Sequence, residues 1–195
     1  MNGREVLIGV TGGVAAYKTA ALVSQLVQSG AEVTVAMTSA ATRFVGETTF
    51  AALTGRAVAT EVFDEQYPLG THITLAQRAD VFCIAPATAN FLAKAAAGLA
   101  DDLVSTLYLS FEGPVLVAPA MNCQMWSKDA VQRNTDQLRQ DGVQIIDPEE
   151  GWLSCRVQAV GRMAAPETIL AAIEEIVESR GIAERQETRD ESRKG

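Results

Sequence analysis

Short apolar runs alternate with longer stretches of helical period along most of the chain. The runs are Glu5–Val10, Glu32–Met37, Asp80–Ala85, Val115–Ala118 and Val143–Ile146. Each is brief and nearly continuously apolar, the pattern of a strand buried on both faces. Between them, Val14–Gln28 has the period of an amphipathic helix closing at Gly30, and helical material follows the second strand through Leu53. The spacing predicts a short helix near Thr74–Arg78 and a helix-rich stretch from Ala89 to Leu109. Two more helices are predicted over Ala130–Gln140 and Glu167–Ser179. Gly55–Gly70 has no regular period, and Asp147–Met163 predicts a loop.

Strand and helix in alternation predict an α/β fold, a Rossmann-like or flavodoxin-like parallel sheet with helices on both faces. One such domain is expected over residues 1–180. Residues 181–195 are expected to form a disordered tail, since Glu184–Gly195 is mostly charged and lacks apolar periodicity. No internal repeat interrupts the pattern.

Composition narrows the classes. The 195 residues suit one domain with a sizeable core, and 48% hydrophobic with 21% charged residues fits a soluble globular chain. A net charge of −8 gives no basic field for nucleic acid or an anionic membrane. No apolar run approaches the length of a membrane span. The first residues run directly into a strand, unlike a signal peptide. Cys83, Cys123 and Cys155 make neither a disulfide framework nor a close metal-ligand set, so no metal is expected and the cytoplasm is the expected compartment.

Candidate chemistry collects where strands end, the edge at which open α/β sheets bind ligands. The first strand runs into Thr11–Lys18, T-G-G-V-A-A-Y-K. Gly12 and Gly13 let the backbone approach a ligand, and the following helix offers free N–H groups to a phosphate. The spacing is neither G-x-G-x-x-G nor a P-loop, and glycine turns also serve packing. Thr38 and Ser39 end the second strand, as helix caps or as phosphate donors. Thr88 and Asn90 end the third. The fourth ends in P-A-M-N-C-Q-M-W, where Asn122 could grip a carboxylate and Met121, Met125 and Trp126 could exclude water or plug the core. Four such ends on one edge favour a pocket for a phosphorylated ligand. His72 is the only histidine, either a cap or a proton-transfer group of the type suited to neutral pH. Cys155 lies in the predicted loop and could be an acid, a nucleophile or inert.

Together these motifs resemble the homo-oligomeric flavin-containing cysteine decarboxylase family, most closely its phosphopantothenoylcysteine-decarboxylating branch. The resemblance runs from about Val6 to Ile176. It rests on T-G-G-V-A-A-Y-K, H-I-T-L at His72, P-A-T-A-N-F-L-A-K at Pro86, A-G-L-A-D-D-L at Ala97, and the pattern P-x-M-N-x-x-M-W at Pro119. It implies FMN at the sheet edge, close to a contact between subunits of a trimer or an assembly of trimers. FMN contacts would come from Gly12, Gly13, Val14, Thr38, Ser39, Thr88, Ala89 and Asn90, with Ala120 beside the flavin. His72, Asn122 and Cys155 would be catalytic. Asn122 would hold the substrate carboxylate, with Met125, Arg162 and Met163 also on the substrate. The implied reaction oxidises a cysteinyl thiol to a thioaldehyde, which supplies an electron sink for loss of carbon dioxide. Re-reduction with a proton from Cys155 then gives the saturated thiol.

Alternatives within reach of the same motifs are a peptidyl-cysteine decarboxylase releasing an enethiol, a flavin prenyltransferase, and a non-enzymatic regulatory subunit. Cys155 argues against the peptidyl enzyme, which has no use for a proton-donating cysteine; a different motif is expected in the prenyltransferase in place of M-N-x-x-M-W; and His72, Asn122 and Cys155 together disfavour the regulatory subunit. Three departures bear on the substrate. Arg156 and Ala159 stand where the family's flap, A-C-G-x-x-G-x-G-R-M, has glycines, and Asp102 replaces a common asparagine. The chain ends in its charged tail where many relatives continue into a synthetase domain, which suggests a monofunctional enzyme or an excised domain.

Overall fold

The computed structural model describes residues 1–179. Five parallel strands form one sheet: β1 (Glu5–Val10), β2 (Glu32–Met37), β3 (Val81–Ala87), β4 (Val115–Pro119) and the short β5 (Gln144–Ile145). Their order is β2-β1-β3-β4-β5, the flavodoxin-like arrangement with its switch point between β1 and β3. Alternation within the strands divides the core. Val6, Ile8 and Val10 face α1 (Ala16–Gln28), α2 (Glu47–Thr54) and α8 (residues 166–179). Leu7, Phe82 and Ile84 face α3 (Thr71–Arg78), α4 (Ala89–Ala97), α5 (Leu103–Ser110) and α7 (Asp129–Gln140), which follows the single turn α6 (Cys123–Trp126). Leu22 and Leu26 of α1 and Ile169 and Ile173 of α8 recur at helical spacing and are fully buried. Each such side chain contributes about 1.5–3 kcal/mol relative to exposure.

Charge closes the amino-terminal edge of the sheet. Arg56 lies 2.7 Å from Glu5, and Arg78 3.1 Å from the same carboxylate. Burial pushes the Glu5 carboxyl up, but hydrogen bonds from both guanidiniums outweigh it and hold the group below its ordinary value. The carboxyl edge carries the site.

Several boundaries differ from expectation. The predicted loop Asp147–Met163 contains an antiparallel hairpin, β6 (Glu149–Trp152) paired with β7 (Gln158–Arg162). Seven of its nine strand residues carry polar or small side chains, and only Gly161 is buried, so no hydrophobic alternation announced it. The helix expected from Val14 starts at Ala16, because Val14 and Ala15 form the turn after the glycines. Helical material from Ala89 to Leu109 is two helices, separated where Gly98 turns left-handed and Asp102 caps α5 with a capping box. β3 continues to Ala87, and α3 begins at Thr71, which brings His72 into its first turn. The expected tail lies outside the described residues.

Candidate active site

The loops after β1, β3 and β4 are tied together at the switch point. The Thr11 hydroxyl donates to the Pro86 carbonyl at 2.7 Å and accepts from the Thr88 N–H at 3.0 Å. Thr19 of α1 donates to the Ala85 carbonyl at 2.7 Å, stapling α1 to β3. Ala120 N–H reaches the Ala87 carbonyl at 3.0 Å. Both threonines are buried, and a buried hydroxyl needs such partners to avoid a desolvation cost of about 1–3 kcal/mol. Gly12 is required by close approach, since a Cβ there would run into Ala40.

Two clefts open on this edge. The first, of about 460 Å³, is the more polar of the two and runs past Gly12, Thr38, Ser39, Thr88, Asn90 and Lys94. Among the described residues, the backbone N–H groups of Gly12, Val14, Ser39, Ala40, Ala89 and Asn90 have no protein acceptor. Several lie at or just before the N-termini of α1 and α4, where the helix end favours an anion. The Thr38 Oγ1 accepts from Ala41 N–H at 3.2 Å, which fixes the turn after β2. Such a donor-rich, concave edge fits a phosphate and a polyhydroxylated chain.

A second cleft, of about 470 Å³, is mostly apolar and lies between the strand ends and the β6–β7 hairpin. Val14, Tyr17, Met121, Met125, Trp152 and Met163 line it, with Ala120 at its floor. Asn122 stands in its wall. The Asn122 Oδ1 accepts from Gln124 N–H at 2.8 Å, so its Nδ2 is the end left to donate to a ligand oxygen. Lys18 and Arg162 line the same cleft. Lys18 Nζ donates to the Met163 carbonyl at 3.2 Å, and Arg162 pairs with Glu149 at 2.8 Å. Burial pulls the Lys18 amine below its ordinary value, and the neighbouring Arg162 cation adds to this. Glu149 and Glu167 act on Lys18 from behind, but neither lines the cleft, so the charged groups that the cleft itself presents are the two cations. The clefts share Gly12, Thr88, Ala89 and Met125.

The chain thus brings together Gly12, Gly13, Val14, Thr38, Ser39, Thr88, Ala89, Asn90, Ala120, Asn122, Met125, Arg162 and Met163 around two adjoining clefts. It does not bring His72 or Cys155 into either. His72 is half-buried over Gly70, and its Nδ1 is buried without a hydrogen-bond partner among the described residues. Cys155 is exposed at the hairpin tip. Arg156, beside it, adopts a left-handed φ of 64°, the conformation for which a glycine would be suited. Ala159 lies in β7 opposite Gly151, in extended backbone that places no demand for glycine. Lys18, Lys94 and Trp152 are further lining residues that the sequence did not single out. The two lysines close motifs that the sequence offered, T-G-G-V-A-A-Y-K and P-A-T-A-N-F-L-A-K, but nothing in those motifs gave them a role of their own.

A family model, Flavoprotein, matches residues 1–178. The chain belongs to the Flavoprotein family. Among curated relatives of this flavoprotein is the coenzyme A biosynthesis bifunctional protein CoaBC of Bacillus subtilis (strain 168), 47% identical over 175 residues. That match covers 89% of this chain and 43% of the relative, so the chain spans under half of the longer protein. The crystal structure of the FMN-dependent cysteine decarboxylase SpaF superposes with a TM-score of 0.81 at 38% identity, covering 90% of this chain and 96% of that one. A PPC decarboxylase variant complexed with pantothenoylaminoethenethiol gives 0.84 at 29% identity, covering 91% and 100%. Among the described residues of this flavoprotein, no helix is long and apolar enough to cross a membrane.

Proposed function

We propose that this flavoprotein decarboxylates the cysteinyl carboxylate of phosphopantothenoylcysteine with FMN as cofactor, giving phosphopantetheine. The observation that carries the reading is the pair of clefts joined at Gly12, Thr88, Ala89 and Met125: one suits a phosphorylated cofactor, the other an elongated substrate, and the two would touch. The likeness to CoaBC and to PPC decarboxylase supports the same substrate.

FMN, when bound, supplies a two-electron acceptor for the substrate thiol and returns the electrons after carbon dioxide has left. The chain's own groups bind, orient and move protons. Free N–H groups at Gly12, Val14, Ser39 and Ala40, with the Ser39 hydroxyl, hold the cofactor phosphate. Asn122 Nδ2 donates to the substrate carboxylate. Lys18 and Arg162 meet the substrate phosphate, and the methionines and Trp152 exclude water between these ends. Cys155, carried on the hairpin, delivers a proton to the product carbon. His72 moves a proton at the site of a neighbouring subunit of a homo-oligomer, trimeric or built of trimers; this accounts for its place outside the clefts of its own chain. The expected compartment is the cytoplasm.

A second reading, action on a C-terminal cysteinyl peptide with release of the enethiol, draws on the 38% identity to SpaF. Such a peptide has one terminal carboxylate, already matched to Asn122, and brings no phosphate to the Lys18 and Arg162 side of the cleft. Purified protein reconstituted with FMN is incubated with each substrate, and carbon dioxide and thiol products are followed by mass spectrometry. Saturated phosphopantetheine supports the reading. Turnover of the peptide alone moves the substrate to the second class, and no turnover of either removes the decarboxylase.

A further inference from the structure

The polar cleft is electrically lopsided. Its β1 and β2 end offers neutral hydroxyls and unpaired N–H groups. Its α4 and α5 side carries Lys94, among the described residues the only cation in its lining, together with Asp101 and Asp102. Lys94 Nζ lies 2.6 Å from Asp101 Oδ1 and 2.7 Å from Asp102 Oδ2, and its side chain is 16% exposed. The other oxygen of the Asp102 carboxylate, Oδ1, accepts from Ser105 N–H at 2.9 Å, so the cap of α5 fixes where this carboxylate sits. Burial would drive protons off Lys94, but the two aspartates outweigh it and hold the amine above its ordinary value.

One ammonium between two carboxylates carries a net negative charge, which repels a phosphate. An ammonium has three N–H donors, and two are spent on the aspartates. The third remains for an acceptor, while the carboxylates keep lone pairs for a donor. A ligand edge that alternates carbonyl, N–H and carbonyl satisfies both at once. The imide edge of a flavin ring has this alternation; a phosphate has no donor to give.

We infer that Lys94, held between Asp101 and Asp102, is a cofactor-binding residue that reads the neutral imide edge of the flavin ring, so that the cleft's charge asymmetry orients the cofactor with its phosphate at the Gly12–Ser39 end. The inference rests on the flavin reading above. It concerns a feature particular to this chain, because Asp102 stands where asparagine is common in the family it resembles.

The test uses the full chain stripped of cofactor and titrated with FMN, riboflavin and lumiflavin. Lys94→Met weakens all three by the same factor, about 10-fold, the value of one charge-assisted hydrogen bond. Loss confined to FMN places Lys94 on the phosphate, and loss for FMN and riboflavin but not lumiflavin places it on the ribityl chain; either overturns the inference. A second readout is the midpoint potential of the bound flavin. Asp102→Asn, which keeps the α5 cap, raises the potential by removing negative charge beside a ring that becomes anionic on reduction. Lys94→Met lowers it. Shifts of one sign in both variants, or none, mark a merely structural cluster. Wild-type protein that binds no flavin overturns the flavin reading itself, a result distinct from either failure.

Discussion

On one side of the apolar cleft, the loops after β1, β3 and β4 are locked to each other by buried hydrogen bonds. On the other, the β6–β7 hairpin is tied at its base, where Met121 N–H meets the Gly161 carbonyl at 3.0 Å, and is exposed at its tip. The first wall is held by the sheet, and its donors stand ready before any ligand arrives. The second is held by a two-stranded ladder, which is marginal on its own. A reaction with an early step that needs fixed geometry and a late step that needs only a proton could be divided between them. Substitutions on the strand-end wall, or of the histidine proposed to reach it from a neighbouring subunit, should then abolish turnover. Those on the hairpin should uncouple its halves or change stability.

The largest effect is expected at His72 and Asn122. His72→Asn and Asn122→Asp should each reduce decarboxylation by about 10²–10⁴-fold while FMN remains bound. An aspartate at 122 would face the substrate carboxylate with like charge. Mixing the two dead variants adds an oligomer test. If His72 serves a neighbouring subunit, co-refolded mixtures should recover roughly a quarter of wild-type sites. No recovery from a demonstrably mixed oligomer would return His72 to its own chain.

Cys155→Ser probes the hairpin directly. The variant should still oxidise and decarboxylate the substrate, then stall, because a serine hydroxyl is a far weaker acid than a thiol. Anaerobic single turnover should give a product two hydrogens lighter (about 2 Da) than the wild-type thiol. Saturated thiol at the wild-type rate would leave Cys155 without a role.

Lys18 comes next and carries a pH signature. Lys18→Met should raise KM for phosphorylated substrate about 10–100-fold and leave the dephosphorylated analogue unaffected. A bound phosphate favours the ammonium form, so affinity is full below the Lys18 pKa and falls as pH rises through it. Burial has lowered that pKa, so the fall begins below the ordinary lysine value of 10.5. Kinetics across alkaline pH should show the fall in wild type and not in Lys18→Met.

The same two regions differ in how much of them could be read in the sequence. The central strands were legible because burial on both faces forces continuous apolar runs, and their ends were legible because ligands bind there. Asn122 belonged to a recognisable motif on such an end. The hairpin was not legible, since Glu149–Trp152 and Gln158–Arg162 carry mostly polar or small side chains and only Gly161 among them is buried, so no apolar alternation marks the strands. Lys18 was missed for a related reason: it looks like any lysine on an amphipathic helix, and its partner Met163 is 145 residues away. Lys94 likewise acquires meaning only when α4 and the Asp101–Asp102 turn meet.

Gly161 should be the most sensitive position of the hairpin base. Its φ is 149°, and a Cβ there would run into the Met121 carbonyl oxygen. Gly161→Ala is expected to cost about 1–3 kcal/mol and to lower Tm by a few degrees. Thermal unfolding of the full chain measures it, and an unchanged Tm would show that the base yields without strain.

The smallest effect is expected at the tip, where it separates backbone strain from side-chain chemistry. Arg156 N–H closes the turn onto the Leu153 carbonyl at 2.9 Å, with φ at 64°. A non-glycine residue in that conformation costs about 1–2 kcal/mol. Glycine would remove the strain but lose about 0.5–1 kcal/mol through its greater freedom in the unfolded chain. Arg156→Gly should therefore stabilise by about 0.5–1 kcal/mol, a rise in Tm of about 1–4 °C. Arg156→Ala keeps the strained φ and removes the guanidinium, so it should leave Tm nearly unchanged. If alanine and glycine raise Tm equally, the strain account fails and the arginine side chain is what destabilises the tip. If only glycine does so, and turnover is unaltered in both, the arginine at 156 changes the stability of the hairpin tip without serving the chemistry of Cys155.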